Sequence, residues 1–164
     1  MAKILCVDDE ASIVSLKCTI LEAAGHVATA STSAEDAIDK LEHNAYDAVV
    51  TDWRLGDANG RAVLQAAKTN STMPVVVVSG YVSEAFQAPE PLADLYLEKP
   101  INPEELVTIV NELLKIGDKL HAEQERVEQS KAAQVSPEEV SAALAAEKPN
   151  PAHQSKAKQG GSGK

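Results

Sequence analysis

The chain has 164 residues, 44% of them apolar and only 3% aromatic, and a formal net charge of −10. That length suits one domain with a proper core plus an appendage, and a core almost without aromatics must be closely packed Val, Ile, Leu and Ala, which favours a sheet covered by helices. The acidity opposes binding to a phosphate backbone, and no apolar run approaches the roughly 18 residues of a membrane span.

Residues 1 to 116 carry 18 acidic and 8 basic side chains and residues 117 to 164 carry 7 of each, so the excess acid belongs to the first part. The two cysteines, Cys6 in KILCV and Cys18 in SLKCTIL, sit in apolar contexts with neither CxxC nor metal-ligand spacing. The expectation is a soluble cytoplasmic protein of a reducing compartment that neither binds nucleic acid nor inserts into a membrane.

In chain order, KILCV (3 to 7) is a short β-branched run that stops at Asp8 and Asp9, and Ile13, Leu16, Ile20 and Leu21 follow at helical spacing. VATA (27 to 30) is a weaker strand. Ser33 then precedes an acid-rich first turn and a helical period of Ala34, Ala37, Ile38 and Leu41. DAVVT (47 to 51) is a buried strand ending at Asp52, and Asn59 and Gly60 punctuate before a helix carrying Ala62, Val63, Ala66 and Ala67. PVVVVS (74 to 79) is a third buried strand. Pro89 and Pro91 should stop a short fourth helix near Gln87, DLYLE (94 to 98) is a weaker strand, and Asn102, Pro103 and Glu105 form a helix start. Five βα units with right-handed crossovers give a doubly wound five-stranded parallel sheet flanked by five helices.

The last helix carries Leu106, Ile109, Leu113, Ile116 and Leu120 in steps of three and four, with Val127 continuing the register. This spacing allows a dimerising coiled coil and so a homodimer, but Gly117 weakens it, and a helix ending near Gly117 with a frayed extension is the preferred reading. A short helix with Ser136 as N-cap, Pro137 and Glu139 follows. The expected organisation is a domain over 1 to 116, a helical extension over 117 to 148 and a disordered tail over 149 to 164.

In such sheets reacting groups gather at the carboxyl ends of the strands. There the chain places Asp8 and Asp9 after the first strand, Asp52 after the third, Ser79 at the end of the fourth and Lys99 after the fifth. Singly, each has a bland explanation: acids at a helix start, a loop initiator, a cap, a solvated lysine. Together they resist it, because uncompensated acids on one rim repel one another. They suit a divalent cation such as Mg2+ and a phosphoryl group. Clustered carboxylates hold a hard ion with waters and phosphate, the ion neutralises charge on the transferring oxygens, and a carboxylate nucleophile needs donors opposite it, which Ser79 and Lys99 supply.

The segments LCVDDE, VVTDWRLGDANG, VVVVSG and LYLEKP resemble, in order and separation, the four signature segments of bacterial receiver domains of two-component response regulators. The resemblance implies a flavodoxin-like strand order of 2-1-3-4-5. It implies that Asp52 accepts a phosphoryl group from a histidine kinase or phosphotransfer protein, that Asp8 and Asp9 form the acid pocket, and that Asp9, Asp52 and the backbone carbonyl of Arg54 ligate Mg2+. Ser79 and Lys99 would contact the phosphoryl group. The Lys99–Pro100 bond would be cis, and Tyr96 would be the aromatic that turns inward as the Ser79 hydroxyl moves towards the phosphoryl group. Simple partial burial explains Tyr96 equally well. On this resemblance the chain catalyses only its own phosphorylation and dephosphorylation and is not otherwise an enzyme.

Two departures stand out. Gly56 occupies a position where the family usually has proline, which suggests a more mobile loop. Arg54 is either a solvated loop charge, the preferred reading, or a partner for Asp or phosphate.

The expected function is phosphorylation of Asp52 switching a surface that contacts a downstream protein, with no DNA-binding output domain in residues 117 to 164. Relay, chemotaxis-type adaptor and a regulator whose tail engages a partner all remain open. The alternative is a receiver-shaped adaptor not controlled by phosphorylation. A phosphatase-like hydrolase would need a second carboxylate where Arg54 stands, and a flavodoxin-like cofactor binder would want a Ser, Thr or Gly-rich loop in place of Asp8 and Asp9.

Overall fold

The structure, a computed structural model, describes residues 1–69, 72–81 and 92–134. Strands β1 (Lys3–Val7), β2 (Val27–Ser31), β3 (Ala48–Thr51), β6 (Val75–Ser79) and β7 (Leu95–Glu98) form one parallel sheet, and β4 (Arg54–Leu55) pairs antiparallel with β5 (Ala58–Asn59) in a separate hairpin. The sheet order is β2-β1-β3-β6-β7, the doubly wound topology expected. The helices among the described residues are α1 (Ala11–Ala23), α2 (Ala34–His43), α3 (Arg61–Lys68) and α4 (Pro103–Gln134). The expected fourth helix near Gln87, the short helix at 136 and the tail lie outside the described residues.

Nearly continuous apolar runs rich in Val and Ile form the three inner strands because both faces of a parallel sheet are covered. Alternate side chains then feed two cores. On one face Ile4, Cys6, Val50, Val76 and Val78 pack with Val14, Ile20 and Leu21 of α1 and Leu106 and Val110 of α4. On the other, Leu5, Val7, Val49, Val75 and Val77 pack with Ala37 of α2 and Val63, Leu64 and Ala67 of α3. Both cysteines are free thiols on the first face, Cys6 buried and Cys18 partly so.

The caps follow the sequence: Ser33 Oγ accepts from the Asp36 N–H at 3.1 Å, and Asn102 Oδ1 accepts from the Glu105 N–H at 3.2 Å. Two readings need correction. The face of α1 is Val14, Lys17, Ile20 and Leu21, while Leu16 is 43% exposed. And α4 continues through Gly117 to Gln134. One glycine costs a helix about 1 kcal/mol, and the run from Asp118 to Gln134 is rich in Lys, Glu, Ala and Gln, which favour helix strongly enough to carry it onward.

The chain divides into two compact units, Met1–Gln124 and Glu125–Lys164. The first holds the whole sheet. Among the described residues, no helix is long and apolar enough to cross a membrane.

Candidate functional site

Backbone hydrogen bonds at the carboxyl edge of the sheet align the residues that follow each strand. The Asp8 N–H donates to Ser31 O, the Asp52 N–H to Val7 O and the Lys99 N–H to Ser79 O, each at 3.1 Å. The peptide bond between Lys99 and Pro100 is cis.

The side chains converge as a result. Asp52, 6% exposed, accepts from Lys99 Nζ at 2.7 Å on Oδ2 and from the Arg54 N–H at 3.2 Å on Oδ1. Asp8 is fully buried; its Oδ2 accepts from Lys99 Nζ at 3.1 Å and from Lys17 Nζ at 2.9 Å, and its Oδ1 from the Glu10 N–H at 3.1 Å. Asp9 is exposed, with Oδ2 accepting from the Gly56 N–H at 3.1 Å. One carboxylate oxygen from each of Asp8, Asp9 and Asp52 lies within 4.8 Å of the other two. Hard oxygen donors at that spacing, partly neutralised by Lys99 and Lys17, are the set that Mg2+ takes together with waters and a phosphate.

Burial pushes the Asp52 carboxyl up, but hydrogen bonds from Lys99 and Ser79 outweigh it and hold the group below the usual carboxylate range. Burial likewise opposes the Lys99 ammonium, yet its bonds to Asp52 and Asp8 raise it above an ordinary lysine. At neutral pH both are therefore charged. Asp52 offers an anionic oxygen, and Lys99 offers a fixed positive donor beside it.

Ser79 is buried at the end of β6, and its hydroxyl accepts from the Tyr81 N–H at 3.2 Å. Tyr96, on β7, is half-buried and packs against the core that holds Leu5 and Val77. The loop after Asp52 is a hydrogen-bonded hairpin, with Gly56 at φ 62° in its turn, a conformation that favours glycine, and the Gly56 N–H donating to Asp9 Oδ2. Arg54 is more than a solvated loop charge, since its guanidinium carbon lies 3.7 Å from the centre of the Tyr81 ring. Gly60 does more than punctuate: its N–H donates to Trp53 O at 2.5 Å, and a Cβ there would meet Asp52 O and stand 3.1 Å from Trp53 O.

Sequence reasoning missed Lys17 and Tyr81. Lys17 interrupts the stripe Val14, Lys17, Leu21, and the neighbouring stripe through Leu16 looked more apolar; a lysine on an otherwise core-facing stripe was the available signal. Nothing local marks Tyr81 as Arg54's partner.

A family profile described as "Response regulator receiver domain" matches residues 4–111. The chain belongs to this family. Its receiver domain is 33% identical over 124 residues to the response regulator SaeR of Staphylococcus aureus, covering 74% of this chain and 54% of that one. It is 29% identical over 119 residues to the probable transcriptional regulator ycf27 of Guillardia theta, covering 71% of this chain and 47% of that one. The chain thus spans about half the length of these relatives. Among solved structures, a response regulator receiver domain protein from Clostridium thermocellum matches with a TM-score of 0.67 at 26% identity, over 73% of this chain and 99% of that one. Receiver domains are the phosphoacceptor side of two-component signalling and work with histidine kinases or phosphotransfer proteins; the acidic pocket where they typically hold Mg2+ corresponds here to Asp8, Asp9 and Asp52.

Proposed function

We propose that this receiver domain takes a phosphoryl group on Asp52 from the phosphohistidine of a histidine kinase or phosphotransfer protein, with Mg2+ bound, and that the change alters a surface read by a downstream protein. The supporting observation is the pairing of a buried, ionised Asp52 with Lys99 at 2.7 Å beside two further aspartates. In the step, an Asp52 carboxylate oxygen bonds to phosphorus while the P–N bond to the imidazole breaks, its electron pair leaving with the nitrogen.

Asp9, Asp52 and the Arg54 carbonyl would hold the cation, which supplies charge neutralisation at the phosphoryl oxygens. Lys99 and Ser79 bind the phosphoryl oxygens, and movement of the Ser79 hydroxyl towards them leaves room for Tyr96 to turn inward. The chain then acts as a cytoplasmic signalling protein whose only chemistry is on itself. For residues 1 to 116 themselves, the acid excess favours contact with a protein over contact with nucleic acid. Homodimer formation along α4 is supported by the exposed Ile116 and Leu120, at 50 and 55%.

The test is intact mass after incubation with Mg2+ and acetyl phosphate. Addition of one phosphoryl group, dependent on Mg2+, supports the proposal. No addition to a folded chain leaves the receiver-shaped adaptor without phosphorylation as the better account.

A further inference from the structure

Lys17 is buried as completely as any core residue. Its side chain has 0% exposure, and its ammonium donates to Asp8 Oδ2 at 2.9 Å and to the Val7 carbonyl at 3.0 Å. It stands on the stripe of α1 between Val14 and Leu21, where an aliphatic side chain would be buried favourably. The fold needs no ammonium there to compensate Asp8, because Lys99 already pairs with the same oxygen at 3.1 Å. A second cation, stripped of its hydration to reach a carboxylate that already has one, is costly as architecture and has its effect on the acid pocket.

We propose that Lys17 is a positioning residue of that pocket: it anchors Asp8 and sets the pocket's charge, so that a divalent cation is held more weakly than the carboxylates and Lys99 alone would hold it. The inference rests on the reading of Asp8, Asp9 and Asp52 as the cation pocket.

Both oxygens of Asp8 are already occupied, Oδ2 by two ammonium groups and Oδ1 by the Glu10 N–H. Asp8 therefore faces the cation as a screened group, and Asp9 and Asp52 carry the binding. Burial pulls the Lys17 ammonium below the ordinary lysine range while Asp8, 2.9 Å away, opposes that shift; with Lys17 charged, three carboxylates and two ammonium groups leave the cluster with one net negative charge, and without Lys17 it would have two. One unit of charge within several ångströms of a divalent ion, at the effective dielectric of a partly wet site, corresponds to roughly tenfold in affinity.

The test is a Mg2+ titration of the full chain followed by the fluorescence of Trp53, the only tryptophan and the neighbour of Asp52, with calorimetry in parallel. Lys17→Gln keeps a donor for the Val7 carbonyl, and Lys17→Met fills the slot without polar atoms; circular dichroism establishes which is folded. Binding about tenfold tighter in a folded variant is the expected result. This sign separates the proposal from a structural role, which would weaken binding or leave it alone, and either of those outcomes overturns it. A second measurement needs no substitution. Carbon-13 shifts of the side-chain carboxyls on Mg2+ addition should be larger at Asp9 and Asp52 than at Asp8, and a largest shift at Asp8 overturns the proposal. Failure of the unmutated chain to bind Mg2+ at all would be a different outcome, sinking the cation pocket and this inference with it.

Discussion

Lys99 Nζ lies 2.7 Å from Asp52 Oδ2, across 47 positions of sequence, so that the residue after β7 sits against the residue after β3. The contact exists only in the folded sheet and leaves each group charged.

Replacing Lys99 with methionine removes the ammonium that Asp52 and Asp8 share, while Lys17 still covers Asp8. Phosphoryl uptake from acetyl phosphate should slow by roughly tenfold or more, the loss of one charged donor to a developing anion. Stability should fall by about 1–2 kcal/mol, below the cost of breaking a fully buried pair because Lys99 is 24% exposed. Timed intact-mass measurements and urea denaturation read the two effects.

The same pair sets a pH dependence. Asp52 has a folded pKa below its unfolded one, so its contribution is present above the ordinary carboxylate range and is lost as pH falls through the folded value. Between about pH 6 and pH 3, the urea midpoint should decline more steeply for the unmutated chain than for Asp52→Asn. Equal slopes would mean that Asp52 is not stabilised in its charged form.

Two glycines should respond in opposite ways to alanine. At Gly60 a Cβ collides with the Asp52 carbonyl oxygen and crowds Trp53, costing about 2 kcal/mol and disturbing the Asp52 backbone. At Gly117, inside α4, the nearest atoms are 3.7 and 3.8 Å away, so alanine should fit and stabilise by about 0.5–1 kcal/mol. Denaturation midpoints of the two variants test both signs.

The parallel sheet was legible because nearly continuous apolar, β-branched runs such as VVVVS alternating with helical periods suit strands covered on both faces, the strand order came with the family resemblance, and the acids and lysine at the strand ends then had one edge to occupy. Asp8, Asp9, Asp52 and Lys99 could be named for that reason. Lys17 was only half legible: its place on the stripe with Val14 and Leu21 marks it, but its partner is a carboxylate across the helix–strand contact, which no spacing along α1 reveals. Arg54 on Tyr81 joins two loops, and loop pairings have no period to read. The helix through Gly117 shows a single-residue propensity overruled by the residues on either side.

The most direct test of the account is to trap the modified residue. After incubation with acetyl phosphate and Mg2+, borohydride reduces an acyl phosphate to the alcohol, and peptide mass mapping then locates the homoserine. The account predicts homoserine at position 52 alone, formed only when Mg2+ is present. Homoserine at position 8 or 9, or phosphate retained on a serine with Asp52 unchanged, would contradict it.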